Sequence, residues 1–200
     1  VYVLAFFTIY WFYLSLKHSI GLFLAYKRYR QELKVDWINE CKNLDFKTLP
    51  DKKTLPPSLD KVMHFILIPV VNEPLDVIQA SISAIANQTF TSKQVVLIYT
   101  MEEKFSQEMK QKLETAIKPH KSKFHKFLYY VHPAGIEGEA IGVAGANRTW
   151  GAKHAVADLI KAKENIRNYI FSTIDADHVL HPQYLARLTH LYLTSDNRDN

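Results

Sequence analysis

Four short apolar runs separated by helical patterns constrain this chain more than any other feature. The runs are "VMHFILIPVV" (62–71), "KQVVLIYT" (93–100), "KFLYYVHP" (126–133) and "NYIFSTI" (168–174). A run that is apolar at nearly every position suits a strand buried on both faces. Between the runs the period changes. Pro74 is placed for the first turn of a helix, and Ile78, Ile82 and Ile85 continue at helical spacing. Phe105, Met109, Leu113 and Ile117 recur at steps of four. "TWGAKHAVADLIKAKEN" reads as a third helix, and "PQYLARLTHLYL" opens a fourth at Pro182. Alternation of this kind predicts an α/β domain with a mostly parallel sheet and flanking helices. In such sheets ligands bind beyond the carboxyl ends of the strands.

That rule gathers the polar residues. Asn72 and Glu73 follow the first run, Glu102 and Glu103 the second, His132 and a glycine-rich stretch the third, and Asp175 and Asp177 the fourth. Aspartate is a poor strand former and is costly to bury unpaired. Turn chemistry or a helix cap is the ordinary use of such a pair. His181, however, stands nearer the cap position before Pro182 than either aspartate. Two carboxylates one residue apart at a strand end suit a shared hard divalent cation such as Mg²⁺, which keeps several waters and binds through one or two carboxylates plus substrate phosphates. Glu73 fits either a helix start or an acceptor for a base or ribose, and Glu102 fits either a helix start or the same site. His132, His178 and His181 raise a zinc alternative, but a hard-cation site needs no histidine. Gly135, Gly138, Gly142 and Gly145 allow close backbone approach to a ligand, or a moving lid. The stretch has no G-K-[ST], so it is not a phosphate-binding P-loop. No G-x-G-x-x-G follows the first strand, so a dinucleotide fold is poorly supported.

Residues 1–16, "VYVLAFFTIYWFYLSL", carry no charge. With Trp11, Tyr10 and Tyr13 suited to an interface, they read as a membrane-spanning helix. A signal peptide would have a shorter apolar region and a small-residue cleavage site. Lys17 and His18 interrupt the run, and "IGLFLAYKRYRQEL" suits a helix leaving the membrane along its surface. The cluster Lys27, Arg28, Arg30 and Lys34 places that side in the cytoplasm. Residues 42–60 are rich in Pro, Lys and Asp without a period and read as a linker. The organisation expected is a spanning helix and juxtamembrane segment over 1–26, an amphipathic and linker segment over 27–60, and a globular domain over 61–200. The net charge of +5 is modest and the basic residues are scattered, which disfavours a nucleic-acid partner. The single cysteine, Cys41, excludes an intrachain disulfide and a multi-cysteine zinc site. The chain begins without Met and ends just after a helical pattern, so it reads as a fragment.

Together these residues resemble family 2 glycosyltransferases with the GT-A fold, over about His64 to Leu193. The resemblance lies in "IPVVNEP", in the acidic end of "VVLIYTMEE", and in "STIDADHVLHPQYL", which is similar to that family's D-A-D strand end and Pro-led helix. "HPAGIEGE…GANRTWGAKHA" resembles the loop and helix of membrane-anchored bacterial members related to cellulose- and hyaluronan-synthase-like enzymes. The resemblance implies a nucleotide-sugar donor, often a UDP-sugar, a saccharide or lipid acceptor, and Mg²⁺ or Mn²⁺. It implies Glu73 and Glu102 near the nucleobase and ribose, Asp175 on the nucleotide, Asp177 on the metal, and His132 and Asn147 lining the donor pocket. There are two departures. Relatives often have a lysine where Val143 or Ala144 stands here. The family's later general-base carboxylate and its Q-x-x-R-W-type segment are not found before Asn200. The expectation is a donor-binding half that binds nucleotide weakly and does not turn over. A nucleotidyltransferase-like enzyme and a membrane-tethered non-catalytic relative are the alternatives.

Overall fold

The computed structural model describes residues 1–138 and 144–196. The chain divides into two compact units, Val1–Asp36 and Trp37–Asn200.

The first unit is a single helix, α1 (Tyr2–Glu32), with no buried residue. At 1.5 Å per residue its 31 residues extend about 46 Å, against roughly 30 Å for a bilayer's hydrocarbon core. Among the described residues it is the one helix long and apolar enough to cross a membrane. The change in composition at Lys17 does not interrupt the backbone, because lysine and histidine are both tolerated inside helices. Two of its hydroxyls are satisfied within the helix: Thr8 donates to the Leu4 carbonyl and Ser19 to the Ser15 carbonyl, each at 2.9 Å.

The second unit runs α2 (Trp37–Lys42), β1 (Met63–Val70), α3 (Leu75–Ala86), β2 (Val95–Glu102), α4 (Ser106–Ile117), β3 (Lys126–His132), α5 (Ala144–Lys161), β4 (Tyr169–Thr173) and α6 (Tyr184–Thr194). The four strands form one parallel sheet in the order β3-β2-β1-β4. The expected α/β class and parallel sheet are therefore present.

Residue parity explains the layers. Successive side chains of a strand point to opposite faces. Ile66, Ile68 and Val70 of β1, with Val95, Leu97, Tyr99 and Met101 of β2, face one core. There they meet Ile78, Ile82 and Ile85 of α3, Met109 and Leu113 of α4, and Leu185, Ala186 and Leu193 of α6. The intervening Phe65, Leu67, Val96 and Ile98 face the other side and meet Ala155 and Leu159 of α5. A sheet covered on both faces needs apolar residues at both parities, hence the unbroken runs. The chain builds outward from β1 to β2 and β3, then returns to add β4 on the far side of β1. A right-handed crossover that reverses direction must cross the opposite face, which is why α5 alone packs there.

The stretch read as a linker is not a free tether. Leu49 and Leu55 are buried in the main core, with Trp37, Ile38, Leu44, Phe46 and Leu59 packed against it. The Cys41 thiol lies 3.2 Å from the Ala186 carbonyl, and burial pushes its pKa up to about 11, so it is an unreactive packing group. Leucines and aromatics spaced irregularly among prolines and lysines carry no period, so their burial was not visible in the sequence. By contacts the boundary between the units falls after Asp36.

Candidate functional site

The direction of winding reverses between β1 and β4: the α3 connection from β1 to β2 covers one face of the sheet, and the α5 connection from β3 back to β4 covers the other. A crevice forms at such a switch. A cleft of about 370 Å³ lies there, lined by Pro69, Val71, Glu73, Glu102, Asn147, Asp175, Ala176 and Asp177. Five of the six residues singled out in the sequence therefore share one surface, although they come from three strand ends and one helix.

Each is held by a specific local cause. Glu73 turns back on its own strand end and accepts a 2.6 Å hydrogen bond from the Val71 amide through Oε2. Its carboxylate is thus fixed at the mouth of β1 rather than spent on capping α3, which starts after Pro74 without a side-chain cap. Glu102 is the last residue of β2 and sits beside His132 in the parallel register. Their side chains meet, with His132 Nδ1 3.2 Å from Glu102 Oε2. His132 is 5% exposed and stands behind Glu102, outside the lining of the cleft. It reaches the cleft through that carboxylate. The neighbouring Glu103 turns elsewhere and accepts from the Ala134 amide at 2.9 Å.

Asp175 and Asp177 follow β4, which ends with the Ile174 amide still donating to the Leu67 carbonyl at 3.1 Å. Both aspartates are exposed, and Ala176 between them is buried. The alternation turns both carboxylates to the same side. Neither caps α6. The start of that helix is held instead by Gln88, whose Oε1 accepts from the Leu185 amide at 3.0 Å while Nε2 donates to the His181 carbonyl at 2.9 Å. His178 and His181 have local duties. His178 Nδ1 faces the Asp175 amide at 3.4 Å, and His181 Nδ1 faces the Gln183 amide at 3.3 Å.

Asn147 comes from the first turns of α5. It is 1% exposed and donates through Nδ2 to the Thr100 carbonyl at 3.2 Å. Its Oδ1 is buried without a hydrogen-bond partner. One residue later Arg148 pairs through Nη2 with Asp175 Oδ1. Arg148 was not singled out in the sequence, because nothing in "GANRTW" ties its side chain to a strand end 27 positions away. The helix begins at Ala144, so Gly145 lies within it rather than in a loop. Gly135 and Gly138 have positive φ angles of 80° and 82°, which only glycine adopts without strain. Gly142 and Val143 lie outside the described residues.

Among the described residues no group of three or more His, Cys, Asp or Glu side chains is gathered to hold a metal ion. Asp175 and Asp177 at the end of β4 offer two exposed carboxylates, too few by themselves for a zinc cage. They fit a hard cation completed by water and phosphate oxygens.

Compared with known proteins, the chain matches no family model and gives no significant match among curated proteins.

Proposed function

We propose that this protein is a membrane-anchored glycosyltransferase of the family 2 type, whose cleft binds a nucleotide-sugar donor, a UDP-sugar in the first instance. The reading is carried by one observation: the switch-point cleft collects Glu73, Glu102, Asn147, Asp175 and Asp177. It is supported by the order of the motifs, from "NEP" to "DAD", along the chain. In this reading Glu73 and Glu102 accept hydrogen bonds from the base and ribose, with His132 orienting Glu102. Asn147 offers its unpartnered Oδ1 to a donor hydroxyl. Asp175 and Asp177 would hold Mg²⁺ or Mn²⁺, which would supply positive charge to the diphosphate leaving group. The acceptor is a saccharide or lipid. In this reading the apolar part of α1 anchors the protein, and Lys27, Arg28 and Arg30 toward the end of that helix, with Lys34 beyond it, favour a cytoplasmic globular unit.

The test is calorimetric titration of UDP into the full chain in detergent micelles, with Mn²⁺ and with EDTA, beside Asp177→Ala. Circular dichroism verifies folding of both proteins. Binding that needs both the metal and Asp177 is the expected result. A folded protein that binds none of UDP, GDP, CDP or dTDP with Mn²⁺ sinks the proposal and leaves the non-catalytic, membrane-tethered reading.

A further inference from the structure

The lining of the cleft carries four carboxylates, Glu73, Glu102, Asp175 and Asp177, and no cation. An anionic ligand cannot enter such a surface without positive charge to meet it. Two basic side chains stand at its edge. Lys112 is already engaged: its Nζ pairs with Glu108 at 2.6 Å and donates to Asn72 Oδ1 at 3.2 Å and to the Glu73 carbonyl at 3.1 Å. Arg148 remains, and its one hydrogen-bonded partner among the described residues is Asp175.

That ion pair is poorly explained as a stabilising device. The Asp175 side chain is 58% exposed and that of Arg148 34% exposed. A solvent-accessible pair of this kind contributes about 0–1 kcal/mol. The guanidinium also carries a deficit, because its Nε is buried without a hydrogen-bond partner. A buried donor left unpaired is destabilising. Directly before it in α5, Asn147 presents a buried Oδ1 that also has no partner. Two adjacent residues with unmet hydrogen-bonding capacity, at a cleft edge, point to a ligand. The planar fork of arginine suits phosphate oxygens, which it can engage through two N–H groups at once.

The geometry points to Arg148 as a phosphate-binding switch. It pairs with Asp175, and when a diphosphate enters it exchanges the carboxylate for phosphate oxygens and frees Asp175 for the divalent cation. The inference rests on the donor-site reading above and deepens it, because it supplies the cation missing at Val143 and Ala144. The exchange predicts opposite effects of one substitution. Removing the guanidinium leaves Asp175 unpaired and available to cations, but it removes an anchor from the diphosphate.

The experiment uses the full chain in detergent micelles, and compares wild type, Arg148→Ala and Arg148→Lys. Mn²⁺ binding is read by the loss of the free-ion electron paramagnetic resonance signal. Pyrophosphate, UDP and uridine are titrated calorimetrically with Mn²⁺ present. For Arg148→Ala, Mn²⁺ alone binds tighter, and affinity for UDP and pyrophosphate falls roughly tenfold to 150-fold, as the loss of a charged hydrogen bond implies. Uridine affinity is unchanged, and Arg148→Lys recovers part of the loss. Unchanged UDP and pyrophosphate affinity in Arg148→Ala overturns the inference while the donor-site reading stands. An equal fall for uridine and UDP also overturns it, since that marks a structural role. If wild type binds pyrophosphate and no nucleotide, the nucleotide-sugar reading fails, and the pyrophosphate arm still decides the role of Arg148. If wild type binds neither pyrophosphate nor any nucleotide, both fail.

Discussion

Gly151 of α5 lies against Thr100 of β2 so closely that a Cβ on the glycine would come within 1.7 Å of Thr100 Cγ2 and 3.3 Å of Leu67 Cδ1. This contact sets how near α5 comes to the sheet, and with it the reach of Asn147 to the Thr100 carbonyl one turn earlier. Gly151→Ala is expected to force the helix outward and destabilise the fold by about 1–3 kcal/mol or more. Thr100→Ser removes the clashing methyl and should restore part of that loss. Thermal unfolding of the two single variants and the double variant measures the coupling. Strictly additive effects would mean that the two residues do not meet as described.

His64 of β1 is fully buried, with its ring edge-on to Phe90 at 4.9 Å and Nε2 2.8 Å from Thr189 Oγ1. Burial holds its pKa down, from 6.5 to about 3. The folded value lies below the unfolded one, so the fold takes up fewer protons than the unfolded chain between them. Stability is complete above about 6.5 and is lost as pH falls from there toward 3, at up to roughly 1.4 kcal/mol per pH unit. His64→Gln should be less stable at pH 7 and lose less on acidification. Urea unfolding at a series of pH values checks this, and equal slopes for both proteins would count against it.

Glu164, just beyond α5, works in the same direction at lower pH. Burial alone would raise its pKa, but hydrogen bonds from Lys126, Tyr169 and His125 outweigh it and bring the value down to about 2. Its contribution is present above 4.5 and is lost as pH falls toward 2. Glu164→Gln should therefore unfold less steeply with acid below pH 4.5 than wild type, as followed by circular dichroism.

Gln88 bridges α3 and the start of α6 through both ends of its carboxamide. Gln88→Leu leaves the Leu185 amide and the His181 carbonyl without that partner. A loss of about 1–3 kcal/mol is expected. Because Asp175 and Asp177 sit on the segment leading into α6, Mn²⁺-dependent UDP affinity should fall with it. Unchanged affinity in a destabilised variant would separate the site from this bridge.

For α1, membrane insertion is expected to fail when charge is placed in its apolar half. Each arginine at the centre of a spanning helix is unfavourable by about 2.5–3.5 kcal/mol. If α1 is the anchor proposed above, the wild-type protein stays with membranes through alkali extraction and the pair Phe7→Arg and Trp11→Arg is extracted. Persistence of the association would show that other surfaces hold the protein on the bilayer.

Much of the globular unit could be read from local pattern. The strands "VMHFILIPVV" and "KQVVLIYT" announce themselves because both parities are apolar, and α4 because Met109, Leu113 and Ile117 share one face. Helix ends were less readable. The α5 pattern begins at Ala144, inside a stretch whose glycines suggested a loop, because glycine lowers helix propensity without forbidding a helix that packs well. The burial of Leu49 and Leu55 carries no periodic signature and depends on a surface offered by distant residues.

The site divides along the same line. That Glu73, Glu102, Asp175 and Asp177 follow strand ends is a property of sequence order, and the parallel sheet brings such ends to one edge. Three relations needed the folded chain. The β2–β3 register puts His132 behind Glu102. The crossover that returns to β4 carries α5 across the opposite face and sets Arg148 against Asp175. The packing of Gly151 on Thr100 fixes the height at which Asn147 meets the cleft. Periodicity is encoded by neighbours along the chain, whereas these contacts join residues whose adjacency exists only after the sheet has chosen its strand order.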